Sequence, residues 1–286
     1  MNSHLHSRRA IVKSSIFGLL AVSVPGIAIC RDAGKFTTES YSSENPEKRY
    51  PHIDEAIVSE VVGVSHFNLD RLKELVNKRP ELARATWDWA FGDWETALGA
   101  ASHVGRRDIA EFLMRKGARP DIFTFAMLGA VDAVEKMIDA QPGIQAIAGP
   151  HGISLLQHAK NGLQSEGITL KQKKQSLKLI YYLEGLGNAD VAEKYMKVEE
   201  SEKEEYLGDY MYGDGAEDGF SVKLNMKKLI SLGKVGKFGG ALYQITKNTF
   251  IYNGTTSVTI TFQVENNKVV SLTVKEPDLT VTARKV

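Results

Sequence analysis

Thr96–Asp121, TALGAASHVGRRDIAEFLMRKGARPD, reads as two short helices joined by a tight turn and followed by an exit loop. Ala101 and Ser102 are small, so the first helix can lie close to a neighbour. Gly105 falls at the turn between the helices, where a positive φ is wanted and only glycine takes it without strain. Ile109, Phe112, Leu113 and Met114 form the apolar face of the second helix, and Gly117-Ala118 ends it. A helical hairpin of this size cannot bury its apolar face alone. It needs copies of itself on either side.

Weaker copies flank it. Asn68–Val76 reads as a turn and second helix, with Arg79-Pro80-Glu81-Leu82 as the exit. Gly129–Ile138 repeats that pattern, and Gln141-Pro142-Gly143-Ile144 repeats the exit. A fourth unit starts at Gly152–Ala159, is interrupted by the polar stretch Gln164 to Lys174, and resumes at Leu177–Leu183, with Leu186–Asp190 closing it. The best copy resembles an ankyrin repeat. Thr96 and Leu98 stand where that family's Thr-Pro-Leu-His motif opens the first helix, with Ala97 in place of the proline and Gly99 in place of the histidine. The resemblance implies about four stacked repeats over residues 51–190, and a surface that binds protein partners. No tetratricopeptide tryptophan–glycine–tyrosine pattern competes with it.

The chain has 286 residues, with 36 Lys and Arg against 35 Asp and Glu. Arg8, Arg9 and Lys13 lie in the first thirty positions, which contain no acid, so the remainder carries a net charge of about −2 and disfavours nucleic-acid binding. Ser7-Arg8-Arg9-Ala10-Ile11-Val12-Lys13, followed by the apolar stretch Ile16–Ile29, resembles a bacterial twin-arginine export signal. Its implied partner is the export machinery, through Arg8 and Arg9, and its implied destination the periplasm or beyond. The stretch is broken by Gly18, Pro25 and Gly26 and falls short of the roughly 20 apolar residues of a stable span. Cys30 is the only cysteine, so no internal disulfide forms; a lipid anchor there would need a smaller residue than Ile29 before it. An uncleaved signal or a lipidated Cys30 would tether the chain to the membrane.

After Asp190 the pattern changes. Residues 191–205 are charged and read as a linker helix. From Tyr206 the chain alternates apolar and polar residues between glycine and asparagine turns. Strands are expected at Tyr206–Tyr212, Phe220–Asn225, Lys228–Leu232, Ala241–Lys247, Thr249–Tyr252, Ser257–Glu265, Val269–Lys275 and Thr280–Arg284. Leu207-Gly208-Asp209-Tyr210, Gly240-Ala241-Leu242, Thr249-Phe250, Phe262 and Lys268–Leu272 make this part similar to the lipocalin-like domain that follows the catalytic domain of beta-lactamase-related serine hydrolases. That implies a barrel or curved sheet without catalysis of its own. The expected fold is therefore α+β and multidomain: signal peptide 1–30, flexible linker 31–50, ankyrin helical solenoid 51–190, linker helix 191–205, and a small antiparallel β-barrel or curved sheet at 206–286.

Chemical motifs are scarce. Ser231-Leu232-Gly233-Lys234 matches Ser-x-x-Lys but falls between strands, where it cannot open a helix. The glycine-rich run 233–240 lacks the Gly-Lys-Ser/Thr ending of a phosphate cradle. Asp214–Gly219 lacks the alternating ligands of a calcium loop. The seven histidines (4, 6, 52, 66, 103, 151 and 158) form no His-Glu-x-x-His pair, and His103 reads as a capping or packing residue. No catalytic, cofactor or metal site is expected. All three tryptophans fall in one loop, and Trp87, Trp89, Phe91 and Trp94, with Phe123 and Phe125 one unit later, are the expected partner-binding residues. Packing of these aromatics on one another is the bland alternative. The expected function is a non-catalytic, protein-binding scaffold of the cell envelope. Alternatives are a carrier of a small apolar ligand in the β-domain, lined by Tyr243, Phe250, Tyr252 and Phe262, or an accessory subunit of an envelope hydrolase.

Overall fold

The computed structural model describes residues 51–190, 195–225, 228–237 and 239–286. The expected signal peptide and linker, with Arg8, Arg9 and Cys30, lie outside the described residues, as does the start of the expected linker helix. The described part belongs to one compact unit, Arg49–Val286.

Its first half is helical. The helices are α1 (Glu55–Val64), α2 (Leu69–Lys78), α3 (Ala97–His103), α4 (Arg107–Arg115), α5 (Ile122–Met127), α6 (Val131–Ala140), α7 (Leu155–Leu163) and α8 (Leu170–Leu186). Between α2 and α3 runs a small hairpin of β1 (Thr86–Asp88) and β2 (Trp94–Thr96). Six of these eight helices start where the chain offers a side-chain acceptor to the free amides of a first turn, while α4 and α6 start without one. Thr96 caps α3, Asp121 caps α5, Ser154 caps α7, and Thr169 with Gln172 makes a capping box on α8. Leu72, Val76, Leu98, Ile109 and Leu113 fill the core of α1–α4, while Val134, Leu155, Leu179 and Leu183 fill that of α5–α8.

The ankyrin-solenoid expectation is corrected by this arrangement. In a solenoid each unit touches only its neighbours. Here the second and fourth hairpins meet directly: Asn161 Nδ2 donates to His103 O at 2.5 Å, and Ser165 Oγ donates to Gly105 O at 2.6 Å. The hairpins are also unequal, α5 having 6 residues and α8 17. Their connections differ too, one carrying a β-hairpin and another a pair of 3-10 turns at Ile144–Ala146 and Pro150–Gly152. The helices form one wall of an α+β fold.

The second half is a closed barrel of eight antiparallel strands, β3 (Gly208–Met211), β4 (Gly219–Leu224), β5 (Ile230–Lys234), β6 (Gly240–Thr246), β7 (Thr249–Tyr252), β8 (Thr255–Glu265), β9 (Lys268–Lys275) and β10 (Thr280–Lys285). Each strand pairs with the next in sequence, and β10 returns to β3 with Arg284 opposite Met211. Closure leaves no edge strand. The barrel expectation holds here, and all eight expected strands are found with small shifts at their ends. Inward positions carry Tyr210, Leu232, Phe250, Ile260, Phe262 and Leu272, all buried. A short helix, α9 (Glu200–Tyr206), brings Tyr206 against Phe262 and Phe250, with ring centres 4.8 and 5.2 Å apart. The expected ligand-lining residues Phe250, Tyr252 and Phe262 are part of this packed core.

Helices and barrel meet through side chains. Asn253, in the turn between β7 and β8, donates from Nδ2 to Asp93 Oδ2 at 2.6 Å, and its own Oδ1 accepts from the Ala241 amide.

Candidate metal centre

Four side chains from four separate segments converge beside that contact. His66 follows the end of α1, Glu95 is the middle residue of β2, His103 is the last residue of α3, and His151 sits in the 3-10 turn Pro150–Gly152. One ligand atom from each lies within 4.8 Å of all the others. Glu95 Oε1 is 2.9 Å from His103 Nδ1 and 3.3 Å from His151 Nε2, and Glu95 Oε2 is 3.4 Å from His66 Nε2.

Hydrogen bonds at Nδ1 orient two of the three imidazoles. His66 Nδ1 lies 3.0 Å from Gly63 O and 3.2 Å from Val62 O. Carbonyls only accept, so Nδ1 carries the proton and Nε2 presents a lone pair to the centre. His151 Nδ1 lies 2.7 Å from Asp93 Oδ2, and the His151 amide donates to Asp93 Oδ1 at 3.2 Å. The backbone there is left-handed, with φ 58° for His151, and this carboxylate grips both ends of the residue. Glu95 Oε2 accepts from the Trp89 indole at 2.7 Å. Among the described residues, Glu95 Oε1 and His103 Nδ1 are buried without a hydrogen-bond partner, for their close approach lacks hydrogen-bond geometry. Two such orphans side by side are costly unless something between them completes both.

The electrostatics are divided. Burial pushes the Glu95 carboxyl up, but the His103 and His151 imidazoles beside it outweigh burial and hold it well below the usual carboxylate range. Burial drives His103 down, with Glu95 opposing. Burial also pulls His151 down, yet its bond to Asp93 and the nearby Glu95 carboxylate prevail and raise it to about 10. Without an ion His151 is thus an imidazolium held between Asp93 and Glu95, and a dication entering here would displace its Nε2 proton and take over the balance of those two carboxylates.

The expected partner-binding residues are placed differently from one another. Trp87 packs half-buried on the helical core, and Trp89 spends its N–H on Glu95. Phe91, at φ 56°, turns its ring edge-on to Tyr252 at 4.9 Å. Phe123 is buried in α5 against His158, and Phe125 packs half-buried on the same core. Trp94 is exposed at 63%, and Trp89 at 36% despite its bonded N–H. Local spacing could not reveal the His/Glu cluster, because only Glu95 and His103 are near in sequence, and His66 and His151 come from distant segments. The one hint was Asp93-x-Glu95, two carboxylates alternating within a tryptophan-rich hairpin that has no need of charge.

No family model matches this chain, and a search of curated proteins returns no match.

Proposed function

We propose that this chain binds one divalent first-row transition-metal ion, zinc foremost, through His66 Nε2, Glu95, His103 Nδ1 and His151 Nε2. The carrying observation is the pair of buried, partnerless atoms Glu95 Oε1 and His103 Nδ1 facing two imidazole nitrogens whose ring partners are already committed. Zn–N and Zn–O bonds of about 2.0–2.2 Å in a tetrahedron put ligand atoms roughly 3.3–3.5 Å apart. From Glu95 Oε1, the 3.3 Å to His151 Nε2 matches and the 2.9 Å to His103 Nδ1 needs a small opening, while the four ligand atoms as a set, within 4.8 Å of one another, would draw in around an ion. Imidazole with one carboxylate suits Zn, Cu, Fe or Ni, and the lack of thiolate argues against a soft monovalent ion. His66 on Gly63 and Val62, His151 on Asp93, and Glu95 on Trp89 supply the outer hydrogen bonds that orient such ligands.

Four protein donors fill a tetrahedron, which supports a structural or sequestering role for the ion. It would tie α1, the hairpin, α3 and the His151 turn together, and through Asp93 and Asn253 would brace them on the barrel. This reading takes the place of the aromatic-loop scaffold, since most of those aromatics are packed and only Trp94 and part of Trp89 reach solvent.

The test is metal content of the purified chain by plasma mass spectrometry, before and after chelation and reloading with Zn²⁺, Co²⁺, Ni²⁺, Cu²⁺ or Mn²⁺. About one ion per chain is expected, lost in His103→Ala and Glu95→Gln variants that keep their far-ultraviolet dichroism. A wild-type chain that takes up none of these ions would end the proposal.

A further inference from the structure

Helix α8 carries a second feature, independent of the metal centre. Its inner face buries Ser176, Leu179, Ile180 and Leu183. Its outer face is not the polar surface such a helix normally shows. Leu170 is 79% exposed, Leu177 49% and Tyr181 81%. At 100° per residue these three fall within about 40° of one another, a continuous apolar line along the helix. Lys174, Lys178 and Lys171 border it on one side and Lys173 on the other, all four exposed. Among the described residues none of the four is in an ion pair. The first acid in the helix is Glu184 in its last turn, and that side chain pairs with Lys160 at 3.0 Å.

We propose that this face of α8 seats on an anionic lipid surface, with the helix lying parallel to the membrane plane. Leu170, Leu177 and Tyr181 enter the boundary between headgroups and acyl chains. The flanking lysines extend their stems along that boundary and place their ammonium groups among lipid phosphates. Charge complementarity selects this occupant. A second copy of the chain would set four lysines against four, which repels. A nucleic-acid backbone would satisfy the lysines but leave the leucines idle. No helix among the described residues is long and apolar enough to cross a membrane, and this contact requires none.

The experiment is co-sedimentation of the full chain with vesicles of equal parts phosphatidylglycerol and phosphatidylcholine, and with phosphatidylcholine alone. Binding at least about tenfold tighter to the anionic vesicles is expected, weakened by salt at about 0.5 M, where the Debye length falls to a few ångströms. Two double variants, Leu177→Glu with Tyr181→Glu and Lys173→Glu with Lys174→Glu, change only exposed side chains and leave far-ultraviolet dichroism unchanged. Each should lose most of that binding. Residues 1–50 are present in every variant, so a difference between variants belongs to α8. Equal binding to both vesicle types, or full retention in either variant, would overturn the proposal. So would self-association of the chain in light scattering that disappears with Leu177→Glu and Tyr181→Glu, which would make the face a protein contact.

Discussion

Trp89 illustrates how a single side chain joins two roles. Its indole ring was expected to recognise a partner, yet its N–H is committed to Glu95 Oε2 at 2.7 Å. Trp89→Phe keeps most of the packing and removes the donor, leaving Glu95 free to swing. Loss of an outer hydrogen bond of this kind costs a metal site about 10- to 100-fold in affinity. Zinc titration calorimetry of the apo chain should show that drop in Trp89→Phe with little change in melting temperature. His158 offers a test that needs no metal. Its Nδ1 lies 2.8 Å from Ser154 O and its Nε2 is buried without a partner. Burial, helped by His103, pulls this imidazole down to about 4. The unfolded chain takes up the proton near pH 6.5 and the folded one only near 4, so acid favours unfolding in that window. His158 therefore costs nothing above about pH 6.5, and stability falls by on the order of 3 kcal/mol between there and pH 4. Urea unfolding of His158→Phe, which preserves the contact with Phe123, should show a shallower decline over the same range. An unchanged slope would mean that other groups set the acid limit.

At the level of elements, the strands were legible because their signals are local. The β-branched alternation of Ser257–Val264 needs no partner to be recognised as a strand. Gly105 takes the expected positive φ of 78°. What local patterns could not show is which hairpin touches which. Arg107 follows Arg106 at the turn into α4, and nothing in that pair of charges shows that it is buried and donates to Met127 O at 3.3 Å. Likewise the periodicity of α7 does not reveal that Gly162 lies against α5. A Cβ placed there would come 1.8 Å from Met127 O, a backbone atom that cannot step aside. Gly162→Ala should thus cost at least about 2 kcal/mol by forcing α5 and α7 apart, despite alanine's better helix propensity. Denaturant titration checks the sign: a stabilised variant would mean that the α5–α7 approach is looser than described.

For the molecule as a whole, the candidate site and the helix–barrel junction are continuous. Asn253 links the barrel to Asp93, Asp93 holds His151, and His151 faces Glu95 with His103 and His66. None of this was legible in the sequence, since a polar centre assembled by tertiary structure leaves no spacing rule; only the carboxylate pair in the hairpin pointed inward. An ion at this centre would bind the folded chain alone, so it adds stability that grows with the logarithm of its free concentration. At a free zinc level about 100 times the dissociation constant the gain is about 2.7 kcal/mol. Calorimetric scans should then show one cooperative transition for helices and barrel, moving down several degrees on chelation and restored by zinc. Asn253→Ala separates the contributions. It leaves all four donors in place and cuts the bridge to Asp93, so metal should still bind while chelation no longer shifts the barrel. Two transitions in the variant, with only the earlier one sensitive to zinc, would locate the ion's effect in the helical wall and make Asn253 the residue that transmits it. A variant that still unfolds in one metal-sensitive step would place the coupling in the Phe91–Tyr252 contact instead.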